Sequence, residues 1–363
     1  MNYLKFSIYL SLCLLLSCQT TEEATQSEAL QESFSKIDIH AHYHYSRDSL
    51  IALFDQWRMK AVLVDVAHAD SVARNKGWNA YVDHQRSFPD NYFLCTAFEG
   101  SQIDDPKFAE NIIKRLKQEI AAGARMVKVW KNFGMVTQDS AGNFIQINDT
   151  RLQPIWDYLT EANIPVMAHI AEPIQAWREL EEGNPHYNYY KNNPQYHAYQ
   201  HPEIPSWETI IDARDQWLAA NPDLTVLGAH LGSMSHDVDL VAERLDRYPN
   251  FVVETAARFG DITGQDSEKV RAFFIKYQDR VLYGTDLGNS QPQEEQTDEE
   301  VQNFYQRLDK TFDIHWKYFS GKDSLHFDDP MPSFPVETVS LNLPDSVLKK
   351  FYNDNALRLL QAN

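Results

Sequence analysis

The sequence predicts an α/β fold, a parallel (β/α)8 barrel of the TIM type, with insertions at its C-terminal face and a C-terminal helical segment. Eight short apolar runs alternate with longer amphipathic stretches, which is the order of elements in a parallel sheet. Most runs are continuously apolar, as expected for strands buried on both faces. Eight strands close a barrel, and no glycine-rich phosphate turn follows the first run to favour an open, doubly wound sheet.

The predicted strands are five to eight residues long. They comprise residues 36–40, 61–67, 91–98, 125–130, 165–170, 224–230, 251–257 and 280–286. Between them apolar residues recur at helical spacing, as Phe108, Ile112 and Leu116 do on one stripe. The predicted helices comprise residues 106–124, 151–164, 206–222, 237–249 and 267–279, and an amphipathic helix over 345–361 closes the chain.

Three insertions interrupt this alternation. They occupy residues 131–150, 171–205 and 287–345, and the last contains a predicted helix over 298–319. Each insertion follows the C-terminal end of a predicted strand. Barrel enzymes build their active sites at that end, so we expect these segments to shape a pocket.

The composition is that of a soluble globular chain. Its 363 residues are 43% hydrophobic and 23% charged, and the length suits one barrel domain over residues 36–363. The net charge is −19 and no basic cluster occurs, which argues against a nucleic-acid partner. The sequence leaves the oligomeric state open.

The first eighteen residues differ from the rest. Lys5 precedes an apolar run over residues 8–16, which is too short to span a bilayer and is typical of an export signal. The ending "LLSC" resembles a lipobox, which implies an exported bacterial lipoprotein, periplasmic or at the cell surface, that touches the membrane only through a lipid anchor at Cys18. A signal peptide cleaved elsewhere is the alternative. Residues 19–35 are polar and acidic and predict a flexible tether.

Chemically active side chains follow most of the predicted strands. They are His40 and His42 after the first, Lys128 in the fourth, His169 after the fifth, His230 after the sixth and Asp286 after the eighth. A lone histidine after an apolar run is more often packed than functional. In a barrel these strand ends converge on one mouth, where imidazoles and a carboxylate are the usual ligands of catalytic zinc.

The segments "IDIHAH", "RMVKVWK", "VMAHI", "LGAHLG", "LYGTD" and "FYNDNALRLL" resemble the amidohydrolase-related branch of the amidohydrolase superfamily across residues 36–363. The resemblance implies a metal-dependent hydrolase that cleaves an amide, ester or lactone bond in a small organic molecule. It implies one divalent ion, zinc before manganese, held by His40, His42, His169 and Asp286. Asp286 would also transfer protons, and His230 would polarise the substrate carbonyl.

Two cations have open roles. In binuclear relatives a lysine at the position of Lys128 is carboxylated and bridges two ions, whereas a free Lys128 could bind a substrate carboxylate. One ion is favoured here. Arg258, after the seventh strand, is a candidate carboxylate binder, and a surface ion pair with Asp261 or Glu254 is the alternative. His44 extends the alternating histidines but departs from the family pattern.

Two other functions are compatible with the chain. One is non-oxidative decarboxylation of an aromatic or unsaturated carboxylic acid in the same fold. The other is a binding lipoprotein without catalysis, which the complete set of candidate ligands argues against. Neither a GxSxG nucleophile elbow nor a catalytic cysteine signature occurs, and Cys95 lies in a predicted buried strand.

Overall fold

The computed structural model describes residues 29–43, 48–66, 71–183, 185–289, 296–326 and 337–361. The predicted export signal with Cys18 lies outside these residues, as does His44. Within the described part of the chain, no helix combines the length and the apolar character needed to cross a bilayer.

Nine parallel strands form one sheet. They are β1 (Lys36–Tyr43), β2 (Met59–Val64), β3 (Tyr92–Phe98), β4 (Ala124–Val129), β5 (Val166–Ala168), β6 (Val226–Gly228), β7 (Phe251–Glu254), β8 (Val281–Leu282) and β9 (Leu287–Asn289). Their order in the sheet is β8-β7-β6-β5-β4-β3-β2-β1-β9. Each strand therefore pairs with its neighbour in sequence, apart from the pair formed by β1 and β9.

The short strands β8 and β9 close the sheet into a barrel. β8 pairs with β7, whereas β9, a few residues later, pairs with β1. Between them Ile39 N donates to Tyr283 O at 3.0 Å, and Asp286 N donates to His40 O at 2.7 Å. The predicted barrel is thereby confirmed, with the eighth predicted strand bonded to both of its neighbours.

Helices alternate with the strands as predicted. The longer ones are Asp48–Trp57, Ser71–Ser87, Phe108–Ala121, Gln153–Glu161, Trp207–Ala220, Val238–Arg247, Ser267–Lys276 and Asp298–Ser320. Short helices span Asn132–Met135, Tyr187–Asn192, Ala229–Gly232 and Phe259–Thr263, and the chain closes with Asp345–Lys349, a π-helical turn at Lys350–Asp354, and Asn355–Gln361. A second, antiparallel sheet pairs β10 (Ser324–His326) with β11 (Glu337–Val339).

Strand β1 changes face halfway along its length. Ile37 and Ile39 pack in the cluster that fills the barrel, whereas Ala41 and Tyr43 pack in the outer cluster beneath the helices. The register with β2 shifts between Asp38 and Ala41, as at a β-bulge. Strict alternation would have kept all four side chains on one face. Because of the bulge, Ala41 and Tyr43 face outward and His42, which alternates with them, faces the barrel mouth.

The predicted tether is too long at its C-terminal end. Residues 29–33 are helical, and Phe34 is buried, with its ring 6.4 Å from that of Trp316. Lys36 Nζ donates to Gln31 O at 2.6 Å, which ties this helix to the first strand. The apolar side chain of Phe34 explains the difference, because burying it against the barrel outweighs the polar character of its neighbours.

Candidate metal centre

His40 and His42 stand at the end of β1, after the bulge. Buried His40 Nδ1 lies 3.0 Å from Glu254 Oε1, and only Nδ1 can supply the hydrogen of this bond. Its Nε2 therefore carries a lone pair, and burial lowers the pKa of His40 so that the ring stays neutral. Lys128 Nζ lies 2.8 Å from this Nε2 and donates to it.

Asp286 faces both imidazoles. Its Oδ1 lies 3.3 Å from His40 Nε2 and 3.1 Å from His42 Nε2. Burial acts to raise the pKa of Asp286, but the surrounding histidines outweigh burial and hold this pKa well below its ordinary value. Its side chain is 29% exposed, so the carboxylate lies at the open side of the group. It caps no helix, because β9 follows it directly.

His169 and His230 form a directional hydrogen-bond chain. Ala256 O can only accept, so His230 Nδ1, at 2.7 Å, carries the hydrogen. Burial is the first cause that lowers the pKa of His230, to about 3, so its Nε2 is an unprotonated acceptor. His169 Nδ1 donates to it at 3.2 Å, which leaves His169 Nε2 with a lone pair. That nitrogen is buried and has no hydrogen-bond partner among the described residues.

Glu254, the last residue of β7, is a buried group that the sequence did not single out as functional. Its Oε1 accepts hydrogen bonds from His40 Nδ1 and from His230 N, the latter at 2.8 Å, and its Oε2 accepts one from Ala256 N. Burial raises the pKa of Glu254. The available signal was an acidic residue inside the apolar run "FVVETAA", where an unpaired carboxylate would be costly.

The backbone is strained at three of the strand ends. His230 and Leu231 after β6, Ala257 after β7 and Asp286 after β8 have φ values of 59°, 55°, 53° and 61°. Side chains disfavour this left-handed region by about 1–2 kcal/mol per residue. Strain of this kind persists where the surroundings fix it, and it clusters at functional sites.

These residues fit a divalent cation. His40, His42 and Asp286 bring ligand atoms within 4.8 Å of one another, and so do His40, His230 and Glu254. The oxygens of Glu254 are committed to three hydrogen bonds, so the first group is the better ligand set. His40 Nε2 and Asp286 Oδ1 face each other with no hydrogen between them. A cation would relieve that contact. His169, a predicted ligand, belongs to neither group; its Nδ1 contacts His230, and its Nε2 has no hydrogen-bond partner among the described residues.

The two cations with open roles both lie inside the barrel mouth. Lys128 is buried against His40, and burial lowers the pKa of its amine. Arg258 is only 6% exposed, so its ion pair with Asp261, considered above as a surface contact, is buried. Its Nε lies 3.7 Å from Asp261 Oδ2, beyond hydrogen-bond distance.

The insertion after β5 covers one side of the mouth. Lys131 is buried and bonded to Glu172, and it donates to Tyr189 OH at 3.1 Å. Its Nζ lies 3.5 Å from the centre of the Tyr196 ring. Burial first, and then the charge of Glu172, shift the pKa of Tyr189 upward, while the charge of Arg258 acts in the opposite direction. The insertion therefore packs an aromatic wall beside the candidate metal centre.

Comparison with known proteins agrees with this architecture. Residues 37–362 match the sequence profile of the family described as Amidohydrolase. No curated protein matches the chain. The solved 2,6-dihydroxybenzoate decarboxylase from Rhizobium is 14% identical, with 90% of this chain and 98% of that chain covered and a TM-score of 0.51.

A 2,6-dihydroxybenzoate decarboxylase complexed with 2,6-dihydroxybenzoate is also 14% identical, over 90% of this chain and 99% of that chain, with a TM-score of 0.50. The dihydroxybenzoic acid decarboxylase from Polaromonas sp. JS666, solved with bound manganese and 2-nitroresorcinol, is 13% identical over 78% of this chain and 99% of that chain, with a TM-score of 0.44. The first two likenesses show a shared fold.

Proposed function

Since this chain belongs to the amidohydrolase family, we propose that it is a metal-dependent hydrolase that cleaves an amide, ester or lactone bond in a small organic substrate. One observation carries the proposal. His40 Nε2 and His42 Nε2 converge on Asp286 Oδ1, at 3.3 and 3.1 Å, with Asp286 on the open side. This arrangement supports a catalytic centre better than a structural one, because the Asp286 side chain is 29% exposed and a substrate can reach it, whereas structural zinc sites are closed.

His40, His42 and Asp286 would hold one divalent ion, with His169 Nε2 as a further donor. We expect zinc, with manganese second, because neutral imidazoles and a carboxylate suit both ions. When bound, such an ion polarises a carbonyl group and lowers the pKa of a water molecule toward neutrality. Asp286 would accept the proton of the attacking water and return it to the leaving group, since its low pKa keeps it ionised.

The role implied for His230 needs a correction. A neutral His230 whose Nδ1 hydrogen is bonded to Ala256 O has no second hydrogen to donate to a substrate carbonyl. Its Nε2 instead accepts from His169 Nδ1 at 3.2 Å. We infer that His230 orients His169, so that the lone pair of His169 Nε2 is available to the ion.

The test uses metal-loaded protein and a panel of small amides, esters and lactones. We expect turnover that is lost on chelation and restored by zinc or manganese. Asp286→Asn should lower kcat by about a thousandfold or more, because an amide cannot accept the proton. Asp83→Asn, an exposed site, is the matched control. Turnover near wild type in Asp286→Asn would remove the proton-transfer role.

Decarboxylation is the alternative that the same experiment separates. Release of carbon dioxide from a panel of aromatic acids, with no hydrolysis of the other compounds, would replace the hydrolase by a decarboxylase. If the purified protein binds no divalent ion and added zinc or manganese restores no activity, the result favours a binding protein without catalysis.

We also propose that the chain is an exported lipoprotein anchored through Cys18. The support is the short apolar run that ends in "LLSC". Fractionation of an expressing bacterium tests it: the full chain should be recovered with membranes and Cys18→Ala in a soluble or uncleaved form. Equal recovery of both chains with membranes would contradict a lipid anchor at Cys18.

A further inference from the structure

We propose that the substrate carries a carboxylate, and that the guanidinium of Arg258 binds it beside the candidate metal centre. The inference rests on the proposed function for the position of the reacting bond. It adds the chemical class of the substrate, a small carboxylic acid whose hydrolysable bond lies within reach of Asp286.

The hydrogen bonds of Arg258 leave its donors incompletely used. Its Nη1 donates to Ala257 O at 2.7 Å, while its Nε has no hydrogen-bond partner among the described residues. The nearby Asp261 is already occupied, since its Oδ2 accepts from Ser235 Oγ at 2.7 Å and lies 3.1 Å from His186 Nε2. Arg258 Nε is 3.7 Å from the same oxygen. A guanidinium that is 6% exposed therefore retains donors for another partner.

The charge of Arg258 acts on the candidate metal centre itself. After burial, it is the next cause that lowers the pKa of His230. It is also among the charges that act on His169 and on Tyr189, the residue of the insertion that faces the mouth. Two residues before Arg258, Ala256 O accepts from His230 Nδ1 at 2.7 Å, so Arg258 belongs to a turn that contacts the candidate metal centre directly.

The other two cations of the mouth lie in different surroundings. Lys131 is neutralised by Glu172 and donates to Tyr189 OH. Lys128 Nζ lies 2.8 Å from His40 Nε2, within the candidate ligand set itself. Arg258 differs because no carboxylate among the described residues lies within hydrogen-bond distance of its Nε. The ion pair with Asp261 is long, and a carboxylate that arrives with the substrate would supply the direct hydrogen bond that Arg258 Nε lacks.

The planar fork of a guanidinium matches the two oxygens of a carboxylate. A neutral substrate of the same shape would leave Arg258 unpaired and would bind more weakly. The selectivity for the anion therefore comes from a group outside the ligand set, which makes it separable from metal binding.

The test compares benzoate with benzamide, its neutral analogue, by calorimetric titration of the metal-loaded protein. We expect benzoate to bind and benzamide to bind at least about tenfold more weakly, as for a charged hydrogen-bonded pair. Arg258→Met should weaken benzoate by roughly ten- to a hundredfold with unchanged metal content. Arg125→Met, which removes an exposed cation from the start of β4, should bind benzoate as the wild type does.

Arg258→Lys keeps the positive charge but loses the planar fork, so it should bind benzoate more tightly than Arg258→Met and more weakly than the wild type. It also replaces Arg258→Met in the test if the methionine variant does not fold. Equal affinity of the wild type for benzoate and benzamide would overturn the proposal, as would unchanged benzoate binding in a folded Arg258 variant. Neither result bears on the proposed hydrolase function, which is tested by turnover and by the loss of activity on metal removal. Conversely, benzoate binding through Arg258 without any turnover would support the carboxylate site and contradict the proposed hydrolase function.

Discussion

Glu254 Oε1 lies 3.0 Å from His40 Nδ1 and holds that histidine in a single tautomer. The same oxygen accepts from the backbone nitrogen of His230, at 2.8 Å, so one carboxylate also fixes the turn after β6. A carboxylate behind a metal-binding histidine orients the ring and raises its basicity. Glu254 is in this sense a positioning residue for two neighbouring strand ends.

We predict that Glu254→Gln weakens metal binding by about ten- to a hundredfold. The amide nitrogen of glutamine would have to face one of the hydrogens that Glu254 now accepts, from His40, His230 or Ala256. Competition against a chelator measures the affinity. Glu119→Gln, a buried glutamate paired with Arg115, should cost stability without changing metal affinity. Equal metal affinity in the Glu254 variant and the wild type would show that this contact does not tune the site.

The barrel and its strand ends were predictable because local sequence patterns determine them. Continuous apolar runs mark strands buried on both faces, and parallel topology brings their C-terminal ends together. The spacing of His40 and His42 identified the first pair of ligands, but not the bulge between Asp38 and Ala41, which depends on the pairing with β2. A bulge follows from tertiary pairing and leaves little trace in a single sequence.

The hydrogen-bond partners of the site were not predictable. Glu254 and His40 are in contact although they lie on β7 and β1, far apart in the sequence. The tautomer of His230 is set by its hydrogen bond to the Ala256 carbonyl, in a strained turn. Arg258 could be named as a candidate, but its burial and its unused donor depend on how Asp261 is engaged by other residues. Side-chain networks of this kind are properties of the packed structure.

We predict that Gly284→Ala destabilises the fold by about 1–3 kcal/mol, as overpacking does, and also weakens metal binding. An added Cβ would lie 2.9 Å from Glu254 Oε2 and 3.3 Å from His40 Cβ. Glycine at this position therefore makes room for the Glu254–His40 contact rather than for an ion. Thermal unfolding and chelator competition measure the two effects.

The matched variant is Gly77→Ala, where the added carbon meets only Asp65 Oδ1, at 3.5 Å, in an ordinary contact. It lies within the helix Ser71–Ser87, so alanine should raise stability by up to about 1 kcal/mol. Unchanged stability and metal affinity in Gly284→Ala would mean that the strand ends move apart to accept the methyl group.

For Lys128 we predict an unmodified amine and one ion per chain. Its Nζ lies 2.8 Å from His40 Nε2, so the amine is already engaged within the candidate centre. Native mass spectrometry should show the mass of the chain without added carbon dioxide. Lys128→Met should retain one equivalent of metal, as should the exposed control Lys114→Met. Two equivalents in the wild type, with loss of one in Lys128→Met, would instead establish a carboxylated bridge.

The last prediction concerns pH and a histidine outside the candidate centre. His315 Nδ1 lies 3.0 Å from Tyr283 OH, and its ring centroid lies 4.3 Å from that of Phe259. Burial lowers the pKa of His315 to about 3. The unfolded chain binds a proton below about 6.5 that the folded chain excludes, so stability is full above that pH and is lost as the pH falls. From pH 7.5 to 5 the free energy of unfolding should fall by at most about 2 kcal/mol. The actual loss should be smaller than this bound, because His315 is partly exposed to solvent.

His315→Asn should flatten this part of the stability profile, because the amide can still form a hydrogen bond with Tyr283 OH and does not titrate. Urea unfolding at a series of pH values measures it, since only the difference between variant and wild type isolates His315 from other groups. His326→Asn, at an exposed position in β10, should leave the profile unchanged. If His315→Asn and the wild type lose stability in parallel from pH 7.5 to 5, the folded protein protonates His315 without penalty and another group sets the acid limit.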